Sequence, residues 1–402
     1  MRIAQLANFV GPTSGGMRTA LDALGRGYAD AGVARLLVVP GPEDAATATP
    51  AGDVVQLRAP RVGGGYRLIV EPWRVTDVLR QFAPTSIEVS DKSTLLPVTA
   101  WARRSGVPSV LFSHERLDAM LALRTGRSLQ VQPWNRAMVR CYDRVVVTSR
   151  YAEDELRAAA GRAVTPLHRV PLGVDLDTFR PAPARGTVGT DHGTVAAGPH
   201  AGTHSGLLDA PVLRLVHAGR LSREKSPHLA VATAVALHRR GVPVRLDVYG
   251  EGPHRAELEA LAAGSPVFFH GHVAGRTRLA GRLAAADVAL AVCPGETFGL
   301  SVLEALACGT PVVTADVGGA RELVDERCGA WAQPDAEALA DAVLRVAARD
   351  ERWRRTAARR RAEAFPWSRT VEGLLAVHAQ GAASGRVSRG GRAAWVAAPR
   401  PA

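Results

Sequence analysis

The sequence predicts an α/β protein with two separate parallel sheets, each flanked by crossover helices. The chain has 402 residues, 47% of them hydrophobic, which exceeds one ordinary core and suits two domains of roughly 150 to 200 residues. Short apolar runs alternate with helical patterns in both halves, as is typical of parallel strands joined by helices. We therefore expect two Rossmann-like domains.

The apolar runs give the predicted strands in order. In the first half they are Arg2–Phe9, Arg35–Val39, Ser86–Val89, Ser109–Ser113 and Arg144–Thr148. In the second half they are Leu213–His217, Arg245–Tyr249, Val267–His270, Val288–Val292 and Pro311–Thr314. Near the end of the chain, residues 349–364 predict an Arg-rich helix, and an amphipathic helix follows the break at Pro366.

Composition shifts along the chain predict the domain boundaries. We expect an N-terminal domain at 1–180, a flexible linker at 181–211, a C-terminal domain at 212–365, a final helix at 366–380 and a disordered basic tail at 381–402. The linker is rich in Gly, Thr, Ala, His and Pro without a period. Its histidines, His192, His200 and His204, lack regular spacing and do not predict a metal site.

The net charge of +12 is unevenly distributed. Residues 1–180 carry a net +6 and residues 349–402 a net +8, whereas the stretch between them is close to neutral. A basic first half and tail favour an anionic surface such as phospholipid headgroups, although Arg-rich composition also simply solvates helices. Nucleic acid is not expected as a partner, because no recognition motif and no aromatic interleaving are present.

The sequence shows no pattern expected of a membrane span, a signal peptide or a disulfide framework. No window approaches 18 uninterrupted apolar residues, and Met1–Phe9 has the pattern of a short strand rather than of a signal peptide. The four cysteines show no C-x2-C pair and no nearby histidines, so neither a disulfide framework nor a zinc site is predicted. A reduced, cytoplasmic compartment is the expectation.

The segment from Pro294 to Pro311 contains the most informative pattern. Glu296 and Glu304 lie eight positions apart, across a turn at Gly299 and the start of an apolar helix. The helix start presents free N–H groups to a phosphate, and Glu304, one turn inside, can accept hydrogen bonds from vicinal hydroxyls. The pattern suits a sugar nucleotide, although one surface Glu and one helix Glu would also explain the two carboxylates.

Two further loops predict phosphate contacts. Arg220 and Lys225 lie between a strand and a helix, at the carboxyl edge of the sheet where open α/β folds bind ligands. Gly15 and Gly16 follow the first strand and precede a helix predicted to begin near Met17, so the backbone can approach a phosphate or hexose there. The alternatives are solvated charges and a plain turn. The spacing is not G-x-G-x-x-G, so a nicotinamide cofactor is disfavoured.

Other loop residues are weaker candidates. Gly250, in Tyr249-Gly-Glu-Gly252, and Val273, in Gly271-His-Val273, end strands and are expected to line the base and ribose through backbone groups. Asp175-Leu-Asp177 has the form of a metal-binding D-x-D signature, but it lies at the crossing between the domains, and we expect no metal there.

The segment Glu296-Thr-Phe-Gly-Leu-Ser-Val-Leu-Glu304 resembles the E-x7-E motif of the retaining glycosyltransferases of family 4. The segments Gln5–Ala20, Glu88–Asp91 and Ser113–Asp118 resemble in particular its actinobacterial branch, the GDP-mannose-dependent phosphatidylinositol mannosyltransferases. The resemblance implies a GT-B fold, in which the two domains face each other across a cleft and the last helix crosses back to the first domain. It also implies a reaction without a metal or other cofactor.

The resemblance also assigns roles. Arg220 and Lys225 would hold the donor diphosphate, and His114 would contact the transferred hexose near its 6-hydroxyl, with capping of the next segment as the alternative. Arg116 and Asp118 are secondary candidates. The predicted catalytic residues are His114, Arg220, Lys225 and Glu296. The predicted donor-binding residues are Gly15, Gly16, Arg220, Lys225, Gly250, Val273, Phe298, Gly299, Leu300 and Glu304.

The leading functional hypothesis is retaining transfer of an α-hexosyl unit, mannose from GDP-mannose, to a phosphatidylinositol mannoside or similar lipid-linked acceptor. No dedicated nucleophile is evident, which favours a front-face route in which the leaving diphosphate takes the acceptor proton. The basic and apolar stretch Arg116–Cys141 favours peripheral contact with an anionic membrane at the inner face of the cell membrane, although buried helix packing explains its apolar residues equally well. Alternatives are a UDP-sugar enzyme with a soluble acceptor, a non-catalytic nucleotide-sugar-binding protein and a nucleic-acid-binding protein.

Overall fold

A computed structural model describes residues 1–8, 10, 15–62, 66–90, 94–113, 132–160, 165–182 and 212–384. His114, Arg116 and Asp118 lie outside these residues, as do the histidines of the predicted linker and the end of the chain beyond Ser384. The described residues divide by their contacts into two compact units. One takes its residues from Met1–Val174, Gly295–Leu300 and Phe365–Ala402, and the other from Asp175–Pro294 and Ser301–Ala364.

The first unit is built on an eight-stranded sheet. Its strands are β1 (Arg2–Leu6), β2 (Ala34–Gly41), β3 (Ala45–Thr49), β4 (Gly52–Arg58), β7 (Ser86–Val89), β8 (Ser109–Ser113), β9 (Arg144–Val147) and β10 (Leu167–Arg169), and a separate small hairpin consists of β5 (Arg61–Val62) and β6 (Tyr66–Arg67). The strand order is β10-β9-β8-β7-β1-β2-β4-β3, and every pairing is parallel except that of β3 with β4.

The helices of this unit cover the sheet. In chain order they are α1 (Gly15–Asp30), α2 (Pro72–Phe82), α3 (Leu96–Arg104), α4 (Gln132–Val139) and α5 (Arg150–Ala160). Their buried apolar faces and the inner strands form the main core of this unit, in which Leu36, Leu79 and Leu111 are fully buried. The core agrees with the prediction from apolar strand runs that alternate with helical patterns.

The second unit has a six-stranded parallel sheet. Its strands are β11 (Leu213–Ala218), β12 (Val244–Tyr249), β13 (Val267–Gly271), β14 (Val288–Ala291), β15 (Val312–Ala315) and β16 (Gly329–Ala332). Its helices are α6 (Pro227–Arg239), α7 (Arg255–Leu261), α8 (Arg276–Ala285), α9 (Leu300–Ala307), α10 (Ala336–Ala347) and α11 (Glu351–Glu363). The order β13-β12-β11-β14-β15-β16 reverses direction between β11 and β14, which makes the carboxyl ends of these two strands the topological switch point.

The last described helix, α12 (Trp367–Ser384), packs on the first unit. The side chain of Val371, on this helix, packs against Gly27 of α1. A β-carbon at Gly27 would lie 2.3 Å from Val371 Cγ2, so only glycine leaves room for this contact. The helix extends beyond the predicted end at Gln380. No helix of the described segments combines the length and the apolar character needed to cross a bilayer.

A buried polar cluster attaches α12 to the sheet. Glu88 of β7 accepts hydrogen bonds from Gln5 Nε2 at 2.8 Å and Tyr28 Oη at 2.9 Å, and it pairs with His378 Nε2 at 3.1 Å. His378 also contacts Ser86 Oγ at 2.7 Å through Nδ1. Because each of these polar groups is buried with a partner, the cluster satisfies itself inside the protein.

The ten predicted strands are all present, with small shifts at their ends. The sequence analysis missed β3, β4, β10 and β16 and the β5–β6 hairpin. Ala45–Thr49 is largely exposed and carries only small residues, so it has no apolar alternation to detect. The first helix begins at Gly15 and not near Met17, so the two glycines form its first turn.

Candidate functional site

In the second unit, the ends of three strands are joined by backbone hydrogen bonds. Gly219 N donates to Tyr249 O at 3.0 Å, and Leu221 N donates to Glu251 O at 3.0 Å. On the other side, Gly250 N donates to Gly271 O at 2.8 Å. The loop that carries Arg220 is therefore fixed against the loop that follows β12, and that loop is fixed in turn against the end of β13.

Two glycines make this close approach possible. Gly250 has φ 147°, and a β-carbon there would lie 1.8 Å from the carbonyl oxygen of Gly219. A β-carbon on Gly252 would lie 2.2 Å from Leu221 O. No side chain fits either position without displacing the backbone on both sides of Arg220.

Arg220 and Lys225 are held in a short, tight segment. Residues Arg223–Lys225 form a 3₁₀ turn, and Arg220 Nη1 lies 3.6 Å from Glu224 Oε1. Ser226 then adopts the left-handed conformation, with φ 47° and ψ 44°, before Pro227 opens α6. Such a conformation is strained for a residue other than glycine, and strain of this kind concentrates at ligand-binding loops.

The loop after β14 contacts the same segment. Cys293 Sγ donates to Glu224 O at 3.1 Å, which connects the two loops that leave the topological switch point. All four cysteines are free, and burial raises the pKa of Cys308 to about 12. Val273, the residue predicted to line the base, is half-buried just after β13.

Glu304 lies one turn inside α9, as the pattern predicted, with 14% of its side chain exposed. Arg276 Nη2, at the start of α8, lies 3.4 Å from Glu304 Oε1, and the Arg276 guanidinium covers the ring of Phe179 at 4.8 Å. Burial raises the pKa of Glu304 to about 7; Arg276 opposes the rise, and the charge of Asp175 adds to it. The carboxyl group thus changes its protonation state near neutral pH.

Asp175 has a local role in the chain. Its Oδ1 accepts hydrogen bonds from the backbone N–H groups of Thr178 at 2.9 Å and Asp177 at 3.2 Å. Burial works against ionisation of Asp175, but these hydrogen bonds outweigh it and lower the pKa. Within the described segments, no three His, Cys, Asp or Glu side chains are arranged to hold a metal ion.

The first half of the E-x7-E motif groups with the first unit. Gly299 has φ 100°, a conformation that favours glycine, and Phe298 beside it is 5% exposed. Ser149 Oγ donates to Thr297 O, and Leu300 Cδ1 lies 3.5 Å from the β-carbon position of Gly16. Glu296 is half-buried in the turn before Gly299.

The contacts that Gly15 and Gly16 make with the described residues do not explain why both positions are glycine. Neither has a positive φ, and a β-carbon at Gly15 would meet no described protein atom within 4 Å. The contact between a β-carbon at Gly16 and Leu300 would be an ordinary one. Contacts among the described residues therefore do not demand glycine here, and the predicted reason, close approach of a ligand to the first turn of α1, stays a prediction.

Sequence reasoning missed Arg276, the cation beside Glu304. The available signal was its place directly after Gly275, which has φ 90°, at the first position of a helix that follows β13. His114 is a predicted contact to the hexose, but it lies outside the described residues.

Solved structures with the same architecture define the class of fold. Sucrose-phosphate synthase from Thermosynechococcus elongatus matches with a TM-score of 0.71 at 22% identity, over 96% of this chain and 100% of that one. A trehalose-6-phosphate synthase matches with a TM-score of 0.69 at 14% identity, over 94% and 99% of the two chains. At such identities the likeness shows the fold alone, and it confirms the predicted GT-B fold with two Rossmann-like domains.

Sequence comparison then shows the family. Residues 15–173 match the family described as glycosyl transferase 4-like domain, and residues 213–349 match glycosyl transferases group 1. A GDP-mannose-dependent alpha-(1-6)-phosphatidylinositol dimannoside mannosyltransferase of Mycobacterium tuberculosis is 42% identical over 384 residues, 94% of this chain and 95% of the relative. A D-inositol 3-phosphate glycosyltransferase of Xylanimonas cellulosilytica is 37% identical over 60% of this chain and 58% of its own length. The chain belongs to the family 4 glycosyltransferases, which confirms the resemblance in the E-x7-E motif, and it is an enzyme of that class.

Proposed function

We propose that the enzyme transfers a mannosyl unit from GDP-mannose to a phosphatidylinositol mannoside or a similar lipid-linked acceptor, with retention of the α configuration. The observation that carries the proposal is the 42% identity to the mycobacterial dimannoside mannosyltransferase over 94% of the chain. The match covers 94% of the chain, so it includes residues of both units.

The second unit offers the chemistry that a sugar-nucleotide donor requires. Arg220 and Lys225, on the loop held by Gly250 and Gly252, neutralise the negative charge that grows on the departing diphosphate. Glu304, as a carboxylate, accepts hydrogen bonds from the ribose hydroxyls. Arg220 and Lys225 would take the role that a metal ion has in other transferases, so we propose that no metal cofactor is needed.

In this proposal the transfer needs no nucleophile from the protein. The leaving diphosphate oxygen takes the acceptor proton on the same face from which it departs, and Glu296 positions the hexose for this front-face route. His114 contributes a contact near the hexose 6-hydroxyl, as the family resemblance implies.

A donor and acceptor panel tests the proposal. Purified protein is incubated with GDP-, UDP- and ADP-sugars, each with phosphatidylinositol mannosides or a soluble sugar acceptor, and products are identified by mass spectrometry and NMR of the new anomeric centre. We expect an α-mannosylated lipid from GDP-mannose only. Consumption of a UDP-sugar with a soluble acceptor would favour the alternative enzyme, and no turnover with any pair would contradict the transferase proposal.

Single substitutions test the roles of the residues. Glu296→Ala and Lys225→Ala are each expected to lower kcat at least about a hundredfold, because each removes a group that acts on developing charge or on position. Arg223→Ala is the matched control: it lies in the same 3₁₀ turn as Lys225, is 66% exposed and pairs loosely with Glu257 at 3.8 Å. Near-normal turnover by both active-site variants, with unchanged circular dichroism, would contradict the assignment.

We also propose peripheral contact of the first unit with an anionic membrane, at the inner face of the cell membrane. On α4, Trp134 is 50% exposed, and Arg136 and Arg140 near it are exposed, a basic and aromatic combination that suits a bilayer interface. The sequence analysis counted Met138 in the same apolar set, but Met138 is 1% exposed and packs in the core.

Liposome co-sedimentation tests the membrane contact. Trp134→Ala is expected to lower binding to vesicles that contain phosphatidylinositol about threefold to tenfold. Trp353→Ala, which removes a tryptophan of similar exposure (48%) on α11, serves as the control and is expected to change nothing. Equal binding to neutral and anionic vesicles, or equal losses in the two variants, would contradict the proposal.

A further inference from the structure

His217 occupies an unusual position at the switch point of the second sheet. It lies near the carboxyl end of β11, is 6% exposed, and its Nδ1 lies 2.9 Å from the carbonyl oxygen of Leu290 on the neighbouring strand β14. A carbonyl oxygen only accepts hydrogen bonds, so Nδ1 must carry the hydrogen. Burial lowers the pKa of His217, which keeps the ring neutral and leaves a lone pair on Nε2.

That second nitrogen is buried and has no hydrogen-bond partner within the part of the chain that the structure describes. It lies 3.5 Å from the point where a β-carbon on Gly219 would be, so it faces the backbone that leads to Arg220. Ser222, two residues beyond Arg220, is 4% exposed, and its Oγ has no partner among the described residues either. Two buried polar atoms, one near the end of β11 and one on the loop after it, thus have no hydrogen-bond partner among the described residues. Buried polar groups in folded proteins are nearly always paired.

We infer that His217 is a donor-binding residue whose Nε2 accepts a hydrogen bond from a hydroxyl or N–H group of the bound sugar nucleotide. The inference rests on the proposed function. A neutral imidazole with its lone pair on Nε2 requires a hydrogen-bond donor; the diphosphate has none, whereas the hydroxyl groups of the ribose and the hexose and the N–H groups of guanine are donors. The position at the carboxyl edge, between β11 and β14, is where an open parallel sheet binds its ligand.

A purely structural role for His217 would consist only of the hydrogen bond to Leu290, and two substitutions separate the two roles. The amide of His217→Asn lies near the position of Nδ1, so it keeps a donor for Leu290 O and removes the acceptor at Nε2. The amide of His217→Gln reaches the position of Nε2, so it keeps an acceptor there and gives up the bond to Leu290. The ligand-binding role and the structural role therefore predict opposite orders for the two variants.

The measurement is the KM for GDP-mannose together with the Kd for GDP, determined calorimetrically on the full chain. We expect His217→Asn to raise the KM about tenfold with kcat nearly unchanged, and His217→Gln to stay within about threefold of the wild type. Thermal unfolding should show the reverse order, with the Asn variant the more stable. His238→Asn, which replaces an exposed histidine of α6, is the control.

The two ligands locate the donor group. A loss seen with both GDP and GDP-mannose assigns the contact to the guanosine, and a loss seen only with GDP-mannose assigns it to the hexose. In wild-type protein with labelled histidine, the ¹⁵N resonance of His217 Nε2 should shift on ligand addition while that of Nδ1 stays in place, a readout that does not depend on how any variant folds.

Each outcome is decisive. Binding of GDP-mannose by the Asn variant as by the wild type, or an unshifted Nε2 resonance at saturation, overturns the inference and leaves the proposed function standing. Failure of the wild type to bind any guanosine or uridine nucleotide overturns the proposed function and the inference with it.

Discussion

Each unit contains a buried carboxylate, and their surroundings differ. Glu88 in the first unit is 0% exposed and accepts hydrogen bonds from Gln5, Tyr28 and His378. Burial alone would raise its pKa, but these three partners outweigh burial and lower the pKa. Glu304 in the second unit has Arg276 at 3.4 Å, which does not offset burial, and its pKa is raised to about 7.

We interpret the difference as that between a carboxylate that holds the fold together and one that is proposed to bind a ligand. The charge of Glu88 is satisfied by partners on three other elements, so ionisation of Glu88 stabilises the fold. The charge of Glu304 is not satisfied to the same degree, so its ionisation costs stability, and under the proposed function the hydroxyl groups of the donor would offset that cost. Four experiments test this comparison.

The largest expected effect is on Glu88. Glu88→Leu removes the buried acceptor that Gln5, Tyr28 and His378 share, and should lower the free energy of unfolding by about 3–5 kcal/mol. Urea unfolding followed by circular dichroism measures this. Glu88→Gln, which keeps an acceptor, should cost less, and protein that remains folded should bind GDP-mannose normally. A loss below about 1 kcal/mol for Glu88→Leu would show that the cluster does not hold α12 in place.

Ionisation of Glu304 has the opposite effect on stability: it destabilises the folded protein. Because the folded-state pKa of about 7 lies above the ordinary 4.5, the folded protein binds the proton more tightly, and stability falls as pH rises from about 4.5 through 7. Glu304→Gln cannot ionise, so it should be more stable than the wild type at pH 8, by on the order of 2–3 kcal/mol, and equal to it below pH 4.5. Unfolding at several pH values checks this, with the exposed Glu326→Gln as control; parallel pH profiles of wild type and Glu304→Gln would contradict it.

The third expected effect is on the pH dependence of donor binding. If ribose hydroxyls bind the ionised form of Glu304, GDP-mannose binding must release a fraction of a proton below about pH 7, and the affinity should rise about threefold to tenfold from pH 6 to pH 8. Calorimetry in two buffers of different ionisation enthalpy measures the release directly. The same release from Glu304→Gln would assign the proton to another group.

The smallest effect concerns Arg276, a cation that lowers the pKa of Glu304. Arg276→Gln should move the midpoint of proton release to higher pH by less than about one unit, and should change stability by no more than about 1 kcal/mol, since the arginine is 38% exposed and screened by solvent. The pH series of the preceding experiment, repeated on this variant, measures the shift. A midpoint that moves to lower pH would contradict the assigned role.

The sequence was sufficient for features that are local or periodic. Apolar runs predicted both sheets, and the position of Glu304 one turn inside a helix could be read from Gly299 and the apolar residues after it. By contrast, β3 has no apolar pattern, and the pairing of Arg276 with Glu304 depends on the packing of two helices separated along the chain. The Glu88 cluster joins residues as far apart as Gln5 and His378, and no spacing rule connects them.

The contact of Gly250 and Gly252 with the backbone at Gly219 and Leu221 has a consequence for engineering donor preference. Any side chain at either glycine would displace the backbone beside Arg220, the cation proposed to bind the diphosphate, so substitutions there are expected to abolish activity whatever the donor. Attempts to change specificity therefore have more room at half-buried side chains such as Val273, where size can vary while the backbone that carries Arg220 stays in place.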